Sequence, residues 1–224
     1  NNLRNYGGSW GAKMDGSNQM YWTGKIRPYV AQPNNVKDFF RTGTNLINTL
    51  AFEGGNDKGN FRFSYTNDHA NSILPNAGLQ RNNFDLRVIS HLTKKLTVDT
   101  KVTYFIQKAK QRPYMGTEGI MAYVYNIPRN LNINDLKDYQ NPDYSVRTYT
   151  NGTNGNPYWI QYHDINHDTR NRIIAFAKVI YQFTSWLSAF VRIGTDYLTQ
   201  KVTTVTQYGN WWFPKGKFDF YNYN

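Results

Sequence analysis

Apolar and polar residues alternate with a period of two in six separate stretches of this chain, the period of strands with one apolar and one polar face. The clearest is Phe61-Arg62-Phe63-Ser64-Tyr65-Thr66, apolar at odd positions and polar at even ones. Phe84, Leu86, Val88 and Leu92 face one way, against Asp85, Arg87, His91 and Thr93. Leu96, Val98, Val102, Tyr104 and Ile106 alternate with Thr97, Asp99, Lys101, Thr103 and Gln107. Later, Ala177, Val179, Tyr181 and Phe183 alternate with Lys178, Ile180 and Gln182, where Ile180 breaks the pattern. Leu187, Ala189, Val191, Ile193 and Tyr197 then alternate with Ser188, Phe190, Arg192, Gly194 and Asp196. The expected strands are 44–53, 59–67, 81–93, 96–110, 169–184 and 187–205.

The connections alternate between short and long. Residues 54–58, 93–95 and 184–186 are tight turns, whereas 68–80, 111–168 and 206–224 are long excursions. In an antiparallel order every short turn then falls on one edge and every long loop on the other, the asymmetry of outer-membrane barrels. Loops of that length are uncommon in compact soluble domains. The expectation is therefore an all-β, antiparallel, up-and-down transmembrane β-barrel whose long loops carry short helices. Residues 1–43 form an irregular lead-in with one short helix at Val36–Phe40. Two more short helices are expected in the long loop, at 118–128 and from Asn134, which would cap its own helix. Six strands fall short of the eight or so that close a membrane barrel, so the chain reads as part of a larger one, without a plug domain.

Composition sharpens this picture. Hydrophobic residues make up 39% and charged residues 18%, yet 17% are aromatic, a balance that suits a wall apolar on one face with aromatic rims. No run of about 18 apolar residues exists, and no basic-then-apolar leader is recognisable. Cysteine is absent, which excludes a disulfide scaffold and thiolate metal sites. The net charge of +11 admits nucleic acid as a partner on totals alone. The cations are spread over every strand and share their face with acids, which argues instead for a wet lumen and no nucleic acid. Arg87, Asp99, Lys101, Lys178, Arg192 and Asp196 are the expected lumen-facing groups.

Candidate chemistry is sparse. His163 and His167, with Asp164 and Asp168, have a spacing that would gather metal ligands if they shared a helix face. The bland alternative, a polar stretch at a strand mouth, is preferred, so no metal, cofactor or catalytic residue is expected and the chain is read as no enzyme. Loop aromatics are the better candidates for binding: Tyr114, Tyr158, Trp159, Trp211 and Trp212 would stack on sugars or anchor a partner. They can equally pack the loops.

A set of segments, taken in order, resembles the SusC/RagA-type TonB-dependent transporters of Bacteroidetes-like outer membranes. They are Ser9-Trp10-Gly11 with Asp15-Gly16, Asn35–Gly43 (NVKDFFRTG), residues 54–58, Phe61–Thr66 and Arg81–Phe84. Asn156-Pro157-Tyr158-Trp159, Tyr181-Gln182-Phe183, Trp186-Leu187 and Gly194-Thr195-Asp196-Tyr197 continue the series, with Ala12 standing where the family more often has Pro. The resemblance implies a barrel of about 22 strands around a plug. It also implies a SusD-like surface lipoprotein, a TonB complex on the periplasmic side, and import of oligosaccharide or peptide through the outer membrane of a Gram-negative bacterium. A siderophore or vitamin receptor is the nearest variant. A soluble or surface-exposed glycan-binding or adhesin sheet is the alternative from another class.

Overall fold

The computed structural model describes residues 11–114, 116, 119–150, 155–210 and 215–223. Two short strands, β1 (Asn18–Met20) and β2 (Ile26–Pro28), pair as a hairpin, followed by helix α1 (Asn35–Phe39). The sheet then runs through β3 (Thr44–Asn56), β4 (Gly59–Asn71), β5 (Gly78–His91) and β6 (Leu96–Lys110). After α2 (Ile120–Tyr125), a 3-10 turn (Ile133–Lys137) and α3 (Pro157–Tyr162), it resumes with β7 (Ile165–Gln182), β8 (Ser188–Thr206) and β9 (Lys217–Tyr223).

All seven strands pair antiparallel with their chain neighbours, β3-β4-β5-β6-β7-β8-β9, in an open up-and-down sheet that does not close on itself. Each of the six stretches read from the sequence overlaps a strand, with ends that differ by up to four residues. β4 and β5 run further than expected, leaving a loop of only 72–77 between them. The expectation of one unbroken loop over 206–224 is corrected: Lys217–Tyr223 pairs with β8, Lys217 opposite Thr206 and Tyr223 opposite Gln200. The turn at Asp57-Lys58 is tight because Gly59 takes φ +152, where a Cβ would lie 2.3 Å from the Ile89 carbonyl oxygen.

Directly paired residues point to the same face, so the register sorts every side chain. On one face, Phe61, Val88, Thr100, Ala177 and Ile193 form one row across the strands. Two residues toward the long-loop edge the row is Phe52, Phe63, Leu86, Val102, Ala175 and Thr195, and two toward the other edge it includes Val98, Val179 and Val191. Along β7 and into its turn this face reads Ile173, Ala175, Ala177, Val179, Tyr181, Phe183. The ten steps from Ile173 to Phe183, at about 3.3 Å each, would rise about 25 Å at the roughly 40° tilt of barrel strands, the height of the apolar band of outer-membrane barrels. Among the described residues nothing covers it: Leu50, Phe52, Val191, Ile193 and Tyr197 are each more than half exposed. Of the helices, α3 packs on the sheet, at β7.

The buried core lies elsewhere. Tyr21 and Phe39 from the lead-in and Leu74 and Ala77 from the β4–β5 loop pack with Ile120, Val124, Leu131, Ile133, Leu136 and Tyr158 of the long loop. Among the described residues, then, the closely packed apolar cluster is a layer over the long-loop edge of the sheet. The lead-in is stitched into this layer by polar contacts as well. Asn35 donates to the Leu131 carbonyl at 2.7 Å and accepts from the Ile133 amide at 3.0 Å. Arg27 and the Tyr21 hydroxyl both reach the Asp135 carboxylate. Asn132, not Asn134, caps the 3-10 turn, because its side chain accepts from the Asn134 amide.

Candidate functional site: the polar face and its mouth

The second face of the sheet carries the charges. Arg87 grips Asp99 with two hydrogen bonds, 3.0 and 2.9 Å. Lys101 lies 3.2 Å from Asp85, which also accepts from Thr103 and Asn83. Arg172 binds Asp196 through both nitrogens of its fork, and Arg62 pairs with Glu53. Cations and acids thus answer one another across strands, as opposite-charge neighbours on one face of a sheet do.

Lys178 and Arg192 pose a different problem, because the register sets them directly opposite each other. Like charges in that position repel. Each instead lies over an aromatic ring on the neighbouring strand: Lys178 is 4.3 Å from the Phe190 centroid and Arg192 is 4.0 Å from that of Phe176. Lys178 also faces Asp99 on its other side. These apolar interruptions of the polar face are therefore platforms for cations, worth about 0.5–2 kcal/mol each depending on desolvation. All six expected polar residues stand on this one face, Arg87, Asp99, Lys101, Lys178, Arg192 and Asp196.

At the long-loop edge the same face ends in a cavity of about 330 Å³, lined by Tyr114, Tyr123, Asp164, Thr204, Asp219 and Tyr221 among others. Tyr114 is part-exposed, and burial raises its hydroxyl pKa. Burial also pushes the Asp164 carboxyl up to about 6, against an opposing hydrogen bond from the Gln207 amide at 2.9 Å. Lys217 and Asp219 form an ion pair of 2.8 Å on its rim. Aromatic faces beside hydroxyl and carboxyl groups suit a polyhydroxylated or peptide ligand.

Of the expected binding aromatics among the described residues, Tyr114 lines this cavity. Tyr158 and Trp159 are corrected to structural roles, at 4% and 1% exposure. The Asn156 side chain caps α3 by accepting from their amides, turning both rings into the loop core, and burial raises the Tyr158 hydroxyl to about 12. Trp211 and Trp212 lie outside the described residues. His163 and His167 do not share a helix. His163 caps the end of α3, its ring tilted 4.0 Å from that of Trp159 and its pKa lowered by burial, while His167 is already in β7. Among the described residues no three metal-ligating side chains gather. Tyr123, Tyr221, Phe176 and Phe190 were missed by sequence reasoning; the last two carried a signal, as aromatics beside cations on the polar parity.

No protein-family model matches the chain, and no curated protein aligns with it significantly.

Proposed function

We propose that this chain forms wall and loops of an outer-membrane β-barrel, a TonB-dependent nutrient transporter of the SusC/RagA type. It would import oligosaccharide or peptide together with a SusD-like surface lipoprotein. One observation carries the reading: a single continuous face of the sheet is apolar and exposed, and at the tilt of barrel strands about as tall as the hydrocarbon band, while the opposite face is charged and largely paired. A soluble sheet buries its apolar face against a second layer. Here the apolar packing of the helices is spent on the loop layer at the sheet's edge.

In this reading the polar face lines a water-filled lumen beneath the Tyr114 cavity, and the loop layer frames the outer mouth. Movement of substrate past the wall is driven by rearrangement of a plug coupled to the TonB complex. Most charges described on this face are answered by a neighbour of opposite sign, while Lys178 and Arg192 rest on the Phe190 and Phe176 rings.

The test is the denatured mass and location of the native protein. A heat-modifiable band near 100 kDa in the detergent-extracted outer membrane is expected, since about 22 strands and a plug at this density need roughly 800 residues or more. A soluble species of 26.2 kDa would overturn the transporter and leave a glycan-binding sheet in its place.

A further inference from the structure

Charge is segregated between the two faces of the sheet with unusual completeness. Every acidic side chain within β3 to β9 (Glu53, Asp68, Asp85, Asp99, Asp168, Asp196, Asp219) stands on the polar face. The apolar face has none. It does carry three lysines, and all three sit at its long-loop end. Lys108 pairs with Thr169, opposite Lys201, in one row; Lys110 is in the next row beside His167.

The order of side chains leading to them is graded. The upper edge of the apolar band is the row Leu50, Tyr65, Phe84, Tyr104, Ile173, Tyr197, with the Tyr65 and Phe84 rings 4.9 Å apart. Above it come amides: Asn67, Asn82 and Asn171 share the following row, and the Tyr65 hydroxyl donates to Asn82 at 2.7 Å. The lysine rows follow, four to six residues beyond the aromatic edge, or about 10–15 Å along a tilted wall. Hydrocarbon, interface and headgroup layers succeed one another over the same distances.

Between these rows and the β4–β5 loop lies a cavity of about 480 Å³, with His69, Gln80, Lys108, Lys110 and His167 in its walls. Lys110 is held there by a 2.6 Å hydrogen bond to the Asn76 side chain. Arg41, also lining it, is engaged by the neutral carbonyls of Ser72 and Ala77 and forms no ion pair among the described residues. Asp168 touches the cavity from the other face but is paired with Arg112 at 2.5 Å. The site is a cationic recess just above the apolar band, opening outward.

We propose that this recess binds the phosphate groups of an anionic lipid of the surrounding outer leaflet. The inference rests on the barrel reading above. The lysine stems extend the apolar surface while their ammonium groups meet headgroup phosphate, and the ion pair of Asp168 with Arg112 offsets the repulsion that a phosphate would otherwise feel.

The experiment uses the full-length protein in phosphatidylcholine nanodiscs with and without lipid A, read by native mass spectrometry. The wild type retains lipid A; K108Q/K110Q/K201Q weakens retention roughly tenfold or more. K58Q/K94Q, at the opposite edge, retains it as the wild type does. Equal retention by the triple variant overturns the proposal, as does displacement of lipid A by inorganic phosphate, which marks a soluble-anion site. Heat-modifiable mobility on the same samples separates the two readings. A folded, membrane-inserted triple variant with unchanged retention sinks the lipid site alone, whereas a protein that never enters the nanodisc sinks both.

Discussion

Asp164 shows how far one side chain's behaviour depends on where the chain is led. It follows α3 directly, and its carboxyl is turned inward against the start of the β8–β9 connection, accepting from the Gln207 amide. Burial raises its pKa to about 6 from 3.8. A raised carboxyl pKa means that the folded state holds its proton longer than the unfolded chain. The stabilisation is complete below pH 3.8, declines as pH climbs toward 6, and is gone above that. D164N should abolish this dependence and protect the loop layer at pH 7 by up to about 3 kcal/mol. Amide hydrogen exchange of residues 155–164 at pH 4 and pH 7 checks it; an unchanged pH profile in the variant would remove Asp164 as the cause. Nothing in the local sequence marks this residue apart from Asp168, four positions on, which is ion-paired with Arg112.

Among the elements, the long strands were legible because a side chain's face in a strand is decided by its own parity and needs no knowledge of the neighbours. β9 escaped because Lys217-Phe218-Asp219-Phe220-Tyr221-Asn222-Tyr223 places aromatics on both parities, which erases the period. Only pairing with β8 makes it a strand. Helix α3 escaped for a related reason: six residues are too short to show a helical period, and the cap at Asn156 is what defines it. The assignment of faces has a direct consequence. Ile193 lies mid-band on the apolar face, and Ile174 lies on the polar face opposite Asp196; both are part-exposed. I193R should cost about 2–4 kcal/mol in lipid-vesicle urea titrations, and I174R about 1 kcal/mol or less. If I174R proved the more damaging of the two, the lipid and lumen faces would have to be exchanged.

For the molecule as a whole, the loop layer meets the sheet at its long-loop edge, where Gln111 donates to the Gln161 and Asp164 carbonyls, and the lead-in is one of its parts. Asn35, 3% exposed, is the central link, satisfying a carbonyl and an amide of the long loop. N35A leaves both groups buried without a partner, at a cost of about 1–3 kcal/mol. Limited proteolysis near residues 30–41 should accelerate while the sheet keeps its heat-modifiable mobility; loss of both would mean that lead-in and sheet fold as one. By itself the sequence determined where the long strands run, which face of each is apolar and which edge bears the long loops. Those properties follow from alternation and turn residues, which act over a few positions. The tertiary structure alone decided that the lead-in folds onto the long loop, that Tyr158 and Trp159 are core, and that Tyr114 meets Thr204 and Tyr221 in one cavity. The physical reason is separation: the Asn35 and Tyr21 contacts join residues 96 to 114 positions apart, and no local period records a partner at that distance.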